Sequence, residues 1–166
     1  MIRLATLDDC AKVEILLNQA KAYFKNNNID QWQTDYPNIE DIINDVHAQK
    51  GYVYDDGDIL GYAMIDMNKD ANYDYIEGSW LNDDNYGVIH RICVHDMAKG
   101  KGIGSKFIEY AQKLALSNGI YNLRIDTHED NKSMQRLISK NGFTKCGIIY
   151  VEDKTKRNAY HKELKG

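Results

Sequence analysis

A chain of 166 residues with 43% hydrophobic and 28% charged content has the size and make-up of one globular domain with a real core. Its 21 basic residues fall short of its 25 acidic ones, and the net charge of −4 argues against a general nucleic-acid binder. The amino terminus lacks a signal peptide's apolar stretch, no apolar run could span a bilayer, and Cys10, Cys93 and Cys146 form neither a metal-ligand spacing nor an even disulfide set. The expectation is a single domain over 1–166, cytoplasmic, with reduced thiols, no metal, and no membrane or nucleic-acid partner.

In chain order, a short strand is predicted at 2–5, followed by a helix that Asp8 or Asp9 could cap, with Ala11, Val13, Leu16, Leu17, Ala20 and Phe24 as its apolar stripe. A polar segment at 26–37 carries Gln31 and Trp32, and a second helix covers 39–48. Strands at 51–54 and 59–66 are joined by Asp55-Asp56-Gly57-Asp58, a hairpin signal. Residues 68–86 read as a long loop containing Trp80, and loops of that length are often functional. Then come a strand at 87–94, a helix from the following glycines to about Asn118, a strand at 121–127, a helix at 131–140, and strands at 143–152 and 157–162. The order βααβββαβαββ predicts an α/β domain with a mixed sheet.

Residues 99–105 read Lys-Gly-Lys-Gly-Ile-Gly-Ser between an apolar strand and a helix. Glycines there let backbone approach a ligand, and a helix start offers free N–H groups to an anion such as a pyrophosphate. A dinucleotide fold needs a third glycine where Ser105 stands, and a P-loop needs a closing Gly-Lys-Ser/Thr. Neither pattern is met.

Lys99-Gly100-Lys101-Gly102-Ile103-Gly104 after Ile92-Cys93-Val94 resembles the acyl-CoA signature of the GNAT N-acetyltransferases, Gln/Arg-x-x-Gly-x-Gly/Ala. The segment from Asn131 through Leu137, Ile138, Lys140 and Gly142 to Phe143 is similar to that family's second signature, and the element order matches over essentially the whole chain. The resemblance implies a splayed GNAT-like sheet with acetyl-CoA lying between strands 87–94 and 121–127. The backbone of Ile92, Cys93 and Val94 would take the pantetheine arm as an added strand, the amides of Lys99, Gly100, Lys101, Gly102, Ile103, Gly104 and Ser105 the pyrophosphate, and Asn131 the pantetheine. Asn131 also reads as a plain helix start. Two departures stand out: Lys99 replaces Gln or Arg, and Ile138 replaces the tyrosine that protonates the leaving thiolate in many members. Domains of this family commonly pair as homodimers, an assembly the sequence leaves open here.

Acetyl transfer to an amine needs a base near neutrality, which suits histidine. Period-two alternation puts His90 on one face with Val88 and Ile92, and Cys93 on the other. His128 closes the next strand, where Asp126 could orient it or bind a cationic amine. Each of the three also reads as a structural polar residue, and His47, His95 and His161 read as surface or turn residues. Gln31, Trp32, Trp80 and Tyr150 are candidates for the acceptor pocket, with ordinary packing as the plainer reading of the tryptophans, while Asp55, Asp56, Asp58 and Asp70 read as turn formers. The expected activity is direct transfer from acetyl-CoA to a primary amine of a small molecule. A protein N-terminus or lysine as acceptor, and a non-catalytic acyl-CoA sensor, are the competing readings.

Overall fold

A computed structural model describes residues 1–165. The strands are β1 (Ile2–Leu4), β2 (Gly51–Asp55), β3 (Ile59–Asp66), β4 (Glu77–Gly78), β5 (Gly87–Val94), β6 (Asn122–Thr127), β7 (Thr144–Tyr150) and β8 (Lys156–Glu163). The helices are α1 (Cys10–Asn26), α2 (Ile39–His47), α3 (Ile103–Ser117) and α4 (Lys132–Lys140). Together they make a mixed α/β fold whose single sheet runs β1-β2-β3-β5-β6-β8-β7-β4. Among the described residues no helix is long and apolar enough to cross a membrane.

Contacts gather the chain into two compact units, 1–65 with 91–107, and 66–90 with the described residues of 108–166. In the first, β1, β2 and β3 form an antiparallel meander. Val13, Leu16 and Leu17 of α1 and Ile42 of α2 pack on Val53, Tyr62 and Cys93, and all of them are buried. Burying each large aliphatic side chain contributes about 1.5–3 kcal/mol. The predicted stripe of α1 is offset at its start: Cys10 is buried where Ala11 was expected, and Ala11 faces solvent. The helix entry is set by a capping box in which Asp9 Oδ2 accepts the Thr6 N–H at 2.8 Å. The Arg3 guanidinium on the same carboxylate holds Asp9 below the usual carboxylate range. Asn38 caps α2, its Oδ1 accepting the Glu40 N–H at 2.9 Å. Arg91 sits at φ +55° within β5, and its guanidinium grips Asp45 with two bonds of 2.6 and 3.0 Å. That left-handed residue makes β5 less regular than simple alternation assumes.

In the second unit β6, β8, β7 and β4 are antiparallel neighbours, and β5 pairs with β6 in parallel at Gly87↔Leu123 and Val88↔Arg124. Its core joins Tyr73, Tyr86, Val88, Ile149 and Ala159, with Trp80 packed alongside.

The predicted loop at 68–86 is more structured than its sequence suggests. It forms a 3-10 turn at Ala71–Tyr73 and the two-residue β4, registered as Glu77↔Ile148 and Gly78↔Gly147 on β7. The pairing depends on two glycines at close approach. Gly78 (φ +128°) and Gly147 (φ +152°) put their backbones so near that a Cβ would lie 2.2 Å from Cys146 O and 2.1 Å from Glu77 O respectively. Period-two patterning cannot show a strand this short. His161, expected at the surface, is instead fully buried on β8, which is flanked by β6 and β7.

Candidate active site

In the first unit β5 leads through a 3-10 turn at Asp96–Ala98 to the glycines. His95 caps that turn, its Nδ1 accepting the Met97 N–H at 3.1 Å. Gly100 and Gly102 adopt φ +82° and +78°, and a Cβ on either would meet nothing within 4 Å. Glycine is therefore required here by backbone conformation, while the space beside it stays open. The Lys106 N–H turns back onto Gly102 O at 3.1 Å, so the first turn of α3 begins at the last of these left-handed positions. Lys99 Nζ lies 4.4 Å over the Tyr23 ring and 3.2 Å from Asp96 Oδ1, and Lys106 Nζ is 3.3 Å from Tyr54 Oη. Open backbone, a helix start and lysines fit a phosphate-bearing ligand.

Ile103 is buried at the start of α3, Ile92 and Val94 are half-buried, and Cys93 lies in the core, where burial pushes its thiol up to about 12. In the second unit Asn131 is buried and caps α4, its Oδ1 accepting the Met134 N–H at 3.1 Å. Ile138 of α4 is fully buried in the core.

The second unit also assembles a titratable cluster on His90. Its Nε2 lies 2.7 Å from Asp70 Oδ2, and its Nδ1 lies 3.9 Å from Asp126 Oδ2. Tyr73 Oη donates to that same Asp126 oxygen at 2.6 Å. Burial, reinforced by Asp126, pushes the Tyr73 phenol well above its ordinary range, so it remains a donor. The ionised carboxylate facing Nε2 can only accept a hydrogen bond from it. The imidazole keeps 22% of its side-chain surface exposed, enough for a proton to reach it.

Asp126 Oδ2 thus faces His90, 3.9 Å from its Nδ1. His128 Nδ1 instead accepts the Asp130 N–H at 3.1 Å, a local turn bond. Trp80 donates Nε1–H to Tyr73 O at 3.0 Å, and the Arg124 guanidinium lies 4.1 Å from its ring and 4.0 Å from that of Tyr86. In the first unit Trp32, at φ +58°, packs edge-on against Phe24 with ring centroids 5.5 Å apart, and the neighbouring Gln31 is half-buried. Tyr150 Oη donates to Glu77 Oε1 at 2.7 Å. The acceptor candidates thus divide between the units, and only Trp80 joins the His90 cluster, through Tyr73.

Asp70 is more than the turn former its sequence suggested, although it is that too: its Oδ1 accepts the Asn72 N–H at 2.9 Å. No local spacing marks Asp70 and Tyr73 as functional, because their partners lie 20 and 53 residues away.

The family model for the acetyltransferase (GNAT) family matches residues 14–143. The chain belongs to the GNAT acetyltransferase family. It is similar to a streptothricin acetyltransferase of Escherichia coli, 31% identical over 112 residues that cover 65% of this chain and 62% of that protein. The match thus spans less than two thirds of that relative's length. It is also similar to the crystal structure of a GNAT-family acetyltransferase from Streptococcus agalactiae 2603, with 33% identity and a TM-score of 0.89, covering 100% of this chain and 96% of that one.

Proposed function

We propose that the chain is an acetyl-CoA-dependent N-acetyltransferase that passes the acetyl group directly to a primary amine of a small molecule. The observation that carries this reading is His90, set on Asp70 with Nδ1 as its available lone pair, on the strand that leads to the Cβ-free glycine turn of a GNAT-family chain. The backbone of 99–105 holds the pyrophosphate, Ile92–Val94 and Asn131 the pantetheine, and the N–H near Val94 the thioester oxygen.

In the reaction a C–N bond forms at the thioester carbon and the C–S bond breaks, its electron pair leaving on sulfur. The amine proton goes to His90 Nδ1, then to the thiolate or solvent. Asp126 stabilises the imidazolium and favours a cationic amine, and His128 is the second candidate for proton transfer. Ile138 supplies no acid, and a thiol of pKa about 8.5 leaves without one. Cys93, buried with its thiol pushed up to about 12, is a poor nucleophile, which supports direct transfer. The small-molecule acceptor is supported by the likeness to an enzyme named for streptothricin.

The test incubates the protein with acetyl-CoA and a panel of small amines, measuring thiol release and acetylated product by mass, with the intact mass of the enzyme in a single turnover. Product without an acetylated enzyme is expected. An enzyme heavier by one acetyl group would replace direct transfer with an acyl-enzyme route. Acetyl-CoA binding without thiol release would make the protein a sensor.

A further inference from the structure

Asp70 uses its two carboxylate oxygens for different purposes. Oδ1 accepts the Asn72 N–H at 2.9 Å, which suffices to cap the 3-10 turn. Oδ2 points elsewhere, to His90 Nε2 at 2.7 Å. The residue is further held by Tyr86, whose Oη accepts the Asp70 N–H at 3.0 Å and donates to the Asp70 carbonyl at 3.3 Å. Downstream the segment is anchored by the Trp80 bond to Tyr73 O and by the Gly78–Gly147 approach. A carboxylate so fixed can dictate the state of the ring it faces.

We propose that Asp70 is a positioning residue for the acetyl transfer: it locks His90 with its hydrogen on Nε2 and so makes Nδ1 the atom that takes the amine proton. This rests on the reading of His90 as the base. The far side of the ring agrees with it. Asp126 Oδ2 lies 3.9 Å from Nδ1, beyond hydrogen-bond reach but close enough to stabilise charge there, and it already accepts the Tyr73 hydroxyl. Among the described residues no hydrogen bond to Nδ1 is found, and the anion beside it stabilises the proton that Nδ1 takes up. The titratable groups facing the imidazole are Asp70, Tyr73 and Asp126, from the 66–86 segment and β6.

Two substitutions separate this role from capping. Asp70→Asn keeps an oxygen for the Asn72 N–H but turns an NH2 toward Nε2, which makes Nε2 the acceptor and moves the hydrogen to Nδ1. Asp70→Ser keeps a capping oxygen and removes the partner of His90. The experiment records nitrogen chemical shifts of the histidine rings in the full chain at pH 8, and acetyl-CoA turnover with ethylenediamine, L-lysine and spermidine. The wild type should show His90 as the Nε2–H tautomer. Asp70→Asn should switch it to Nδ1–H with kcat down by about 100-fold or more and melting temperature kept, and Asp70→Ser should give mixed tautomers and an intermediate rate. A wild-type Nδ1–H ring, or an Asp70→Asn protein that keeps the Nε2–H tautomer, overturns the positioning role. A His90→Ala enzyme with undiminished turnover overturns the base reading instead, and does so without reference to Asp70.

Discussion

Asn122 Oδ1 lies 2.8 Å from His161 Nε2, and on the other side of that ring Nδ1 accepts the Leu81 N–H at 3.3 Å. With one nitrogen facing an acceptor and the other a donor, only the neutral ring fits. Burial, with Arg124 nearby, accordingly pulls the His161 pKa down to about 4. A histidine whose folded pKa lies below its unfolded value of about 6.5 leaves stability intact above that pH. Between about 6.5 and 4 the unfolded chain binds the proton and the folded one does not, so stability falls as pH falls. The urea midpoint should therefore decline over this window, by at most about 3 kcal/mol in free energy, and level off below it. In His161→Gln that slope should flatten. Asp9, held down by Arg3, acts only at still lower pH.

Gly147→Ala should detach β4. The added Cβ would sit 2.1 Å from a carbonyl oxygen at φ +152°, and nothing flexible can yield there. A loss of about 2–4 kcal/mol is expected, with faster amide exchange at Gly78 and Ile148. Turnover should fall with it, because Asp70 and Tyr73 belong to the segment that β4 anchors. Unchanged exchange at these amides would show that the pairing does not depend on the glycines.

Gly102→Ala should behave differently. The Cβ enters open space, so the stability loss is only the left-handed backbone strain, about 1 kcal/mol. If that space belongs to the pyrophosphate, the Kd for acetyl-CoA measured by calorimetry should rise about tenfold or more while the fold persists. Equal affinity in the two proteins would remove the glycine turn from the donor site.

What could be read from the sequence was what lies close together in the chain. The glycine turn, the Asn131 helix start and the hairpin at 55–58 are local, and each has its own backbone signature. The mixed sheet followed from the order of periodic segments. The contacts that give the candidate site its chemistry join residues far apart in the chain: His90 to Asp70, and Asp126 to Tyr73. No spacing rule announces them, so in the sequence Asp70 reads as a turn residue, and Asp126 as a partner of His128 or of a cationic amine. His161 was misread because β8 (Lys-Arg-Asn-Ala-Tyr-His-Lys-Glu) looks polar. Its ring instead lies beside Trp80, with centroids 6.0 Å apart, and its two nitrogens are satisfied by Asn122 Oδ1 and the Leu81 N–H.

If His90 accepts the amine proton during acetyl transfer, the pH dependence of kcat must differ between the wild type and His90→Ala. Acetyl-CoA-dependent turnover of the wild type should show an acidic limb, and that of the variant should fall about 100-fold with the limb gone. The same rate and the same limb in both proteins would contradict it.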